Sequence, residues 1–550
     1  MLEEVSRLLG CAGELPAEAQ LAIGKLLNLI EAICADKQQL ADEVKRLREL
    51  LEQKKKGKTT GGNGDNADSK NKDLSSKDHL HDTPPLVSPA NVQPEPKPVT
   101  IHETRRVPID PATLPADAKL VEIKSVVVQD VVIRPNNIQF DLEVYYSASQ
   151  RKYYRAELPP GYDRGEFSGT LQALIISMKY SGNMSEPKIR EMLENFDVRI
   201  SAGSVSKILT NTADEFASEF DDLVRAGLES TTYQQTDDTS ARVAGKFWHT
   251  HILCNPYYTA YFTKPHKDRL SVLEVLQNTE DLKFLLNGET LKLLEQEFNL
   301  PKKWYERLAA LGEQTYDGKS LKQMLDSWFD DRNQQLRTSI EHAMAIMYYR
   351  HQMSMPVVKT IVCDDAGQFK LLTENLALCW IHQGRHYARL TPVVPQHGEL
   401  LAAFQNRFWE YYRKLLAYGL SPSADSAERL RAEFVELFST RTGYTDLDKQ
   451  IALTESKRTE LLTLLQEVGT PPHNNRSELG ARVSARRRDV SLHSVSRRGA
   501  SAMDRFTTLT QTCRKLIVQP YRYFHDRLNR IFAIPSLASL IKSAAATASD

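Results

Sequence analysis

Apolar residues recur at alternating steps of four and three along residues 20–53. They are Leu26, Ile30, Ile33, Leu40, Val44, Leu47 and Leu51. A stripe this narrow is typical of a coiled coil, in which two positions of every seven face a partner helix. An amphipathic helix that folds back onto its own chain would give a similar pattern, and this alternative stays open. We expect residues 1–53 to form an oligomerisation helix.

The pattern changes completely over the next hundred residues. Residues 54–98 are rich in Gly, Ser, Asn, Lys and Pro and hold almost nothing to bury, which predicts a flexible linker. Within 117–158 the segments "KLVEIKSVVVQDVVI" and "QFDLEVYYS" are β-branched and alternating. Such segments are typical of an antiparallel sheet, so residues 99–160 are predicted to form a small β domain.

Helical periodicity follows over residues 161–228. Two short helices, with Ser185 and Ser201 as predicted caps, flank a tight bend and resemble a helix-turn-helix. The second helix of such a pair can enter a major groove, which makes its residues Ser204 and Lys207 candidate DNA contacts. Helix pairs of this kind also occur as plain core structure.

Two pairs of acids fall on predicted strands. Residues 231–264 read as a three-stranded meander whose first strand contains Asp237 and Asp238. After a predominantly helical stretch at 268–353, the apolar, β-branched run before Asp364 and Asp365 is typical of a strand buried on both faces. Its carboxylates would lie at the C-terminal edge of a sheet, where open α/β sheets place their sites. Either pair alone could simply begin a turn.

A third acid lies in "NNRSELGARVSARRRDV". There Asn475 could cap a helix and Glu478 could close a capping box. Six arginines occur between Leu479 and Met503, namely Arg482, Arg486, Arg487, Arg488, Arg497 and Arg498. Arginines in such numbers could grip phosphates without sequence preference. A solvated helix face with a capping glutamate is the simpler alternative.

Three carboxylates on separate elements suit a two-metal site. Two Mg²⁺ ions need converging hard oxygen ligands, and Asp237, Asp364 and Glu478 could supply them. Close carboxylates repel one another without cations, so these residues predict a metal-dependent centre.

At these residues the chain resembles the insertion-sequence-sixty-six family of bacterial transposases. The D-E-T strand motif of the family is "DDT" here, which matches Asp237 to the first acid and leaves Asp238 at the variant position. The second-acid motif and the following C-W-x-H are "DDAGQF" and "CWIHQGRH", which match Asp364 and then Cys379 and His382. The N-N-x-x-E-x-x-x-R segment is "NNRSELGAR" and matches Glu478, and the closing elements are "RRGASAMDRF" and "QPYRYFHDRL".

The resemblance implies a multidomain α+β protein with an RNase H-like DDE catalytic core. The core would span 229–535, with helical insertions at about 268–353 and 395–468, and a C-terminal tail would occupy 536–550. The implied protein binds the terminal inverted repeats of an element and joins them to target DNA. Two Mg²⁺ ions, for which Mn²⁺ could substitute, would sit on the three acids. The implied partners are double-stranded DNA, a homo-oligomer and possible accessory proteins of the same element.

Two other functions remain open from the residues alone. The chain could be a DNA-binding accessory or domesticated protein without catalysis, or an RNase H-like nuclease without strand transfer. Cys379 and His382 have a zinc-like CxxH spacing, but the sequence shows no partner pair for them.

Composition adds limits rather than a function. The 550 residues hold 71 basic and 71 acidic side chains, so any attraction to nucleic acid has to come from local patches. Six scattered cysteines without a CxxC pair, and the lack of a signal-peptide pattern, predict a cytoplasmic protein. The family resemblance additionally implies association with the bacterial nucleoid. No apolar run approaches membrane-spanning length, and no phosphate-binding loop of the GxxxxGK[ST] type occurs.

Overall fold

The computed structural model describes residues 16–56, 100–110, 113–115, 118–329 and 333–549. The chain divides into two compact units, one made of residues up to 37 together with 135 onward, and one made of 38–134. Most of the predicted linker at 54–98 lies outside the described residues.

The predicted N-terminal helix is confirmed as helix α1 (Ala17–Lys56). The side chains of its heptad stripe at Leu26, Ile33, Leu40, Val44 and Leu47 are exposed. Self-association through this stripe stays a prediction.

The predicted small sheet is largely wrong. Residues 118–143 contain no strand, and their apolar side chains, such as Val121 and Val128, are exposed. Only β1 (Val144–Ser147) and β2 (Lys152–Arg155) pair, antiparallel. The reason is that β propensity expresses packing against neighbouring strands, so β-branched residues without a partner strand do not build a ladder.

Four helices follow, and the predicted helix pair is confirmed among them. They are α2 (Gly169–Tyr180), α3 (Glu186–Glu194), α4 (Ala202–Glu215) and α5 (Ala217–Glu229). Ser185 and Ser201 cap α3 and α4 by accepting the N–H of the third helical residue. Val205, Ile208 and Leu209 bury one face of α4 in the core.

The central sheet has five strands. They are β3 (Tyr233–Val243), β4 (Lys246–Cys254), β5 (Thr259–Lys264), β8 (Thr360–Cys363) and β9 (Asn375–Leu378), in the order β5-β4-β3-β8-β9. The predicted meander forms the antiparallel part, while β8 and β9 run parallel to β3. All four residues of β8 are buried, as its unbroken apolar run predicts.

The stretch between β5 and β8 is predominantly helical, as predicted, but it also contains two strands. It contains α6 (Arg269–Gln277), α7 (Gly288–Gln296), α8 (Lys302–Ala309), α9 (Gly318–Asp326) and α10 (Gln334–His351). Two strands, β6 (Lys283–Leu286) and β7 (Gln314–Asp317), form a separate antiparallel sheet.

The rest of the chain is helical in the part that the structure describes. It contains α11 (Trp380–Ala388), α12 (Pro395–Leu420), α13 (Ala424–Phe438), α14 (Thr445–Glu455), α15 (Arg458–Leu461), α16 (Asn475–Ser491), α17 (Arg497–Lys515), α18 (Pro520–Leu528) and α19 (Leu537–Ser549). Helix α19 buries Leu537 and Ile541, so the expected tail at 536–550 is a packed helix. Across the described ranges, none of the helices combines the length and the apolar character that crossing a membrane requires.

Glu31 on α1 fixes this helix to the start of α12. Its carboxylate accepts the N–H groups of Val393 and Val394 at 2.5 and 3.0 Å and lies 3.1 Å from His397 Nδ1. Val394 is the N-cap of α12 and has no side-chain cap of its own, so Glu31 satisfies N–H groups that would otherwise lack partners. Glu31 is 5% exposed and His397 is 2% exposed.

We expect Glu31→Ala to lower the free energy of unfolding by about 3–5 kcal/mol, because it leaves the N–H groups of Val393 and Val394 and the buried imidazole of His397 without their partner. Thermal or denaturant unfolding measures the change. Glu43→Ala on the same helix removes only an exposed ion pair to Arg46 and should change stability by less than about 1 kcal/mol. Equal effects of the two substitutions would contradict the capping role.

Candidate active site

The sheet register brings the first two predicted acids to the same level. In the parallel pair β3–β8, Gln235 lies opposite Val362. Asp237 and Asp364 are each two residues further along, so they stand side by side where β8 ends. The prediction that these acids meet at the edge of a buried strand therefore holds for their backbone positions.

The two neighbouring aspartates of β3 face opposite sides of the sheet. Asp237 lies opposite Ile252 of β4, and Ile252 packs against α16 at Gly480. Asp238 points to the other side, where Gln368 Nε2 donates to its Oδ2 at 3.2 Å and Lys267 Nζ is 3.5 Å from its Oδ1. The strand alternation thus selects Asp237 as the acid that faces α16.

Asp365 is likewise distinguished from Asp364 by its partners. The Asp365 carboxylate lies 2.5 Å from Lys457 Nζ and 3.5 Å from Lys370 Nζ, so it serves two ion pairs. Asp364 Oδ1 accepts the N–H of Ala366 at 3.2 Å, within its own loop. Asp364 is therefore the better placed of the two to bind a cation next to Asp237.

The third acid is carried by the first turn of α16, which hydrogen bonds fasten to the sheet. Asn474 Nδ2 donates to the carbonyl of Thr236 at 2.8 Å, and Arg476 N donates to Gln235 Oε1 at 3.1 Å. These bonds hold the start of α16, which carries Glu478, against the two strand residues that precede Asp237.

The expected capping box is wrong. The N-cap is Asn474, one residue earlier than predicted, and no side chain caps the helix. The side-chain oxygen of Asn474, which could have accepted a helix N–H, accepts the Ser477 hydroxyl at 2.6 Å instead, while its side-chain nitrogen donates to Thr236. Glu478 is correspondingly directed to Arg385 instead of to the backbone.

Gly480 allows α16 to lie this close to the sheet. A Cβ at this position would lie 2.9 Å from Ile252 Cγ2, which is inside normal contact distance. The Gly480 carbonyl also accepts the Tyr261 hydroxyl at 3.2 Å. The glycine therefore determines how closely α16, which carries Glu478 two residues earlier, approaches the strands.

We expect Gly480→Ala to destabilise the protein by about 1–3 kcal/mol, because the added methyl group must push α16 off the sheet. Differential scanning calorimetry measures this change. Gly398→Ala in α12 is the matched control, since its new methyl group would meet nothing within 4 Å and alanine favours a helix. A neutral Gly480→Ala would show that the contact with Ile252 does not set the helix position.

Burial and neighbouring charges perturb the pKa values of the two aspartates. Burial raises the pKa of Asp237 to about 7, opposed by the N–H of Asp238 and reinforced by the charges of Glu478 and Asp364. Burial also raises the pKa of Asp364. The three carboxylates thus interact through space, although among the described residues they are not a set whose ligand atoms all lie within 4.8 Å.

The set that does meet this distance is Cys379, His382 and Glu478. His382 Nδ1 is 3.7 Å from Glu478 Oε1, and Arg385 Nη2 is 3.2 Å from Glu478 Oε2. Arg385 also lies 3.0 Å from His382 Nε2 through its other nitrogen. The sequence pointed to His382 but missed Arg385, whose only signal is its position one helical turn after His382.

The predicted phosphate-binding arginines do not form one surface. Arg487 is 7% exposed, and its guanidinium donates to the Tyr180 carbonyl and to Thr507, so its assignment as a DNA contact is wrong. Arg488 donates to Thr239 and to the Ser240 carbonyl and is half-buried. Both residues fasten α16 to its neighbours, a role that their position on a basic helix did not reveal.

The other four arginines lie nearer to solvent. Arg486, Arg497 and Arg498 are exposed, and Arg482 is half-buried. Arg498 pairs with Asp214 of α4 at 2.7 Å, and Arg497 lies over the Trp248 ring. On α4 itself, Lys207 is exposed, while Ser204 is half-buried and shares the cap with Ser201.

Comparison with known proteins gives one informative relative. No family model matches the chain. The chain is 30% identical over 341 residues to "Uncharacterized protein y4jO" of Sinorhizobium fredii (strain NBRC 101917 / NGR234), a match that covers 59% of this chain and 100% of that protein. That name assigns no activity. On this identity and coverage, the chain belongs to the same protein family as y4jO.

Proposed function

We propose that the protein is a DNA transposase of an insertion sequence. It would bind terminal inverted repeats, hydrolyse a phosphodiester at each element end and transfer the freed strand to target DNA. The observation that carries the proposal is the convergence of Asp237, Asp364 and Glu478 from a strand, a strand end and a helix. The charges of the other two acids help to raise the pKa of Asp237 to about 7, after burial.

The sheet supports an RNase H-like core. An antiparallel meander beside two parallel strands, with acids on the central β3 and after the adjacent β8, is the arrangement that such a core requires. Helix α16 then supplies the third acid from outside the sheet. Fold likeness alone does not fix an activity, so the weight of the proposal rests on the acids.

The acids fit a pair of divalent cations. Glu478 Oε1 is buried without a hydrogen-bond partner, which leaves it free for a cation, and Asp237 needs a positive charge to ionise fully near neutral pH. When bound, Mg²⁺ would activate the attacking oxygen and stabilise the leaving oxygen. The protein's own part would be to bring three carboxylates near one another, to bind Glu478 Oε2 through Arg385, and to pair Asp365 and Asp238 with other side chains.

DNA contact would fall to the exposed basic residues near α16 and α17. Arg486, Arg497 and Arg498 are the members of the predicted set that solvent reaches. Phosphate contacts by such side chains give affinity that is independent of sequence and falls with salt. Recognition of particular bases would fall to the exposed face of α4, where Lys207 lies.

Self-association would use the exposed heptad stripe of α1. We expect Leu40→Glu to shift the protein to monomer, because a charge at the centre of the apolar seam would be buried in the dimer. Sedimentation velocity measures the change, and Lys45→Glu, off the stripe, is the control. A wild-type protein that sediments as a monomer at micromolar concentration would remove the oligomer from the proposal.

Incubation of purified full-length protein with Mg²⁺ and labelled element ends tests the function. Cleavage followed by joining to a target supports the transposase. Cleavage without joining would replace it with a nuclease, and a shifted but intact fragment would replace it with a DNA-binding protein without catalysis.

A further inference from the structure

Cys379 has the surroundings of a metal-bound thiolate. It comes directly after β9, and its Sγ accepts the N–H of Asn474 at 3.3 Å. The N–H groups of Ile381 and His382, two and three residues further on, also act to lower the pKa of the Cys379 thiol. Burial outweighs these N–H groups and raises that pKa to about 11, so the thiol keeps its proton unless a cation binds.

Two further ligand atoms face this sulfur. His382 Nδ1 and Glu478 Oε1 are both buried, and neither has a hydrogen-bond partner among the residues that the structure describes. Buried polar atoms without partners are costly, and a bound ion is one reason for a protein to keep them. The thiol, imidazole and carboxylate ligand atoms all lie within 4.8 Å of one another.

We propose that Cys379, His382 and Glu478 bind one Zn²⁺ ion. Thiolate and imidazole ligands favour zinc strongly over Mg²⁺, which prefers oxygen. Three protein ligands leave the fourth tetrahedral position to water. The sequence offered only the CxxH half of this set, because Glu478 is 96 residues beyond His382 in the chain and reaches it through the fold.

Binding has a defined proton balance. The thiol releases its proton to solvent, and the neutral imidazole carries its proton on Nε2 so that Nδ1 can bind the ion. In the structure, Arg385 Nη1 lies 3.0 Å from His382 Nε2. When Nε2 carries the proton, both nitrogens are donors and cannot hydrogen-bond to each other. Arg385 must therefore leave His382 when zinc binds, while it can keep Glu478 Oε2. We expect Arg385 to weaken zinc binding by this contact and by its charge.

The site would regulate the proposed chemistry, and this part rests on the proposed function. Glu478 cannot serve Zn²⁺ beside Cys379 and also complete the oxygen site with Asp237 and Asp364. We therefore expect Zn²⁺ to inhibit Mg²⁺-dependent cleavage, and EDTA followed by fresh Mg²⁺ to restore it.

Cobalt titration tests the site without DNA or catalysis. Full-length protein freed of metal with EDTA is titrated with Co²⁺, which should produce a sulfur-to-cobalt charge-transfer band in the near ultraviolet that one equivalent of Zn²⁺ removes. Cys379→Ser should abolish the band. Cys363→Ser, the adjacent buried cysteine on the other face of the sheet, should retain it. Circular dichroism checks that each variant is folded.

Two further variants keep the test decisive if Cys379→Ser does not fold. His382→Gln should weaken cobalt binding roughly ten-fold or more, and Arg385→Gln should strengthen it. No band in the wild-type protein, a band that survives Cys379→Ser, or unchanged affinity in His382→Gln would overturn the zinc site. If the wild-type protein shows the cobalt band but does not cleave element ends, the transposase proposal fails and the zinc site stands.

Discussion

Asp364→Asn is expected to reduce Mg²⁺-dependent cleavage and joining roughly 100-fold to 1000-fold or more while leaving binding of element ends intact. The substitution keeps the shape of the side chain and its hydrogen bond from Ala366. It removes the negative charge that stands beside Asp237 at the end of β8. Gel-based cleavage and a binding titration on the same DNA separate the two effects.

Asp365→Asn is the matched control. It changes the next residue, whose carboxylate is already paired with Lys457 and Lys370 on neighbouring segments. We expect it to lose some stability but to retain cleavage within about ten-fold. If Asp365→Asn were the inactive variant and Asp364→Asn the active one, the assignment made from these contacts would be reversed.

Asp237→Asn is expected to stabilise the metal-free protein at pH 8. The pKa of Asp237 is raised from 3.8 to about 7 in the folded state, chiefly by burial. A raised pKa means that folding favours the protonated form. The contribution to stability is therefore complete below about pH 4 and is lost as the pH rises through 7. Asparagine stays neutral and escapes this loss, which is on the order of 4 kcal/mol at pH 8.

The measurement is the free energy of unfolding in EDTA at several values of pH between 4 and 8. The difference between Asp237→Asn and wild type should grow with pH, and Mg²⁺ should reverse it by stabilising wild type alone. Asp238→Asn, on the opposite face, is the control and should give no stabilisation at pH 8. A difference that stays flat from pH 4 to pH 8 would mean that Asp237 ionises as freely as an exposed aspartate.

The sequence predicted where the candidate acids lie in the fold better than it predicted the basic surface around them. The β-branched run before Asp364 and the motif order pointed to these residues, because buried strands and short motifs leave local patterns. The choice of Asp237 over Asp238 rested on motif alignment, and the pairing of β3 with β4 adds a physical reason for it that no single-strand pattern contains. Arg487 was misjudged because a basic helix looks the same whether its guanidinium groups meet water or backbone carbonyls.

The prediction of a sheet at 118–143 was also wrong because local sequence does not reveal which neighbours a residue meets. Val121 and Val128 satisfy every local requirement of a strand, but a ladder also needs a second strand, and local composition does not say whether one is present. The zinc-like spacing of Cys379 and His382 could be seen in the sequence because the two residues are only three positions apart. Glu478, the third residue of the proposed zinc site, joins them only through the folding of α16.

Helix α16 is tied down at both ends, to different neighbours. Its start is bonded to β3 through Asn474, and near its far end Arg487 donates to the Tyr180 carbonyl of α2 at 2.8 Å while Lys179 Nζ lies 3.1 Å from Ser491 Oγ. Gly480 rests on Ile252 between them. Glu478 thus lies on a helix whose two ends are bonded to different elements, the central sheet and α2. A displacement of α2 relative to the sheet would therefore have to be accommodated along the helix that carries Glu478.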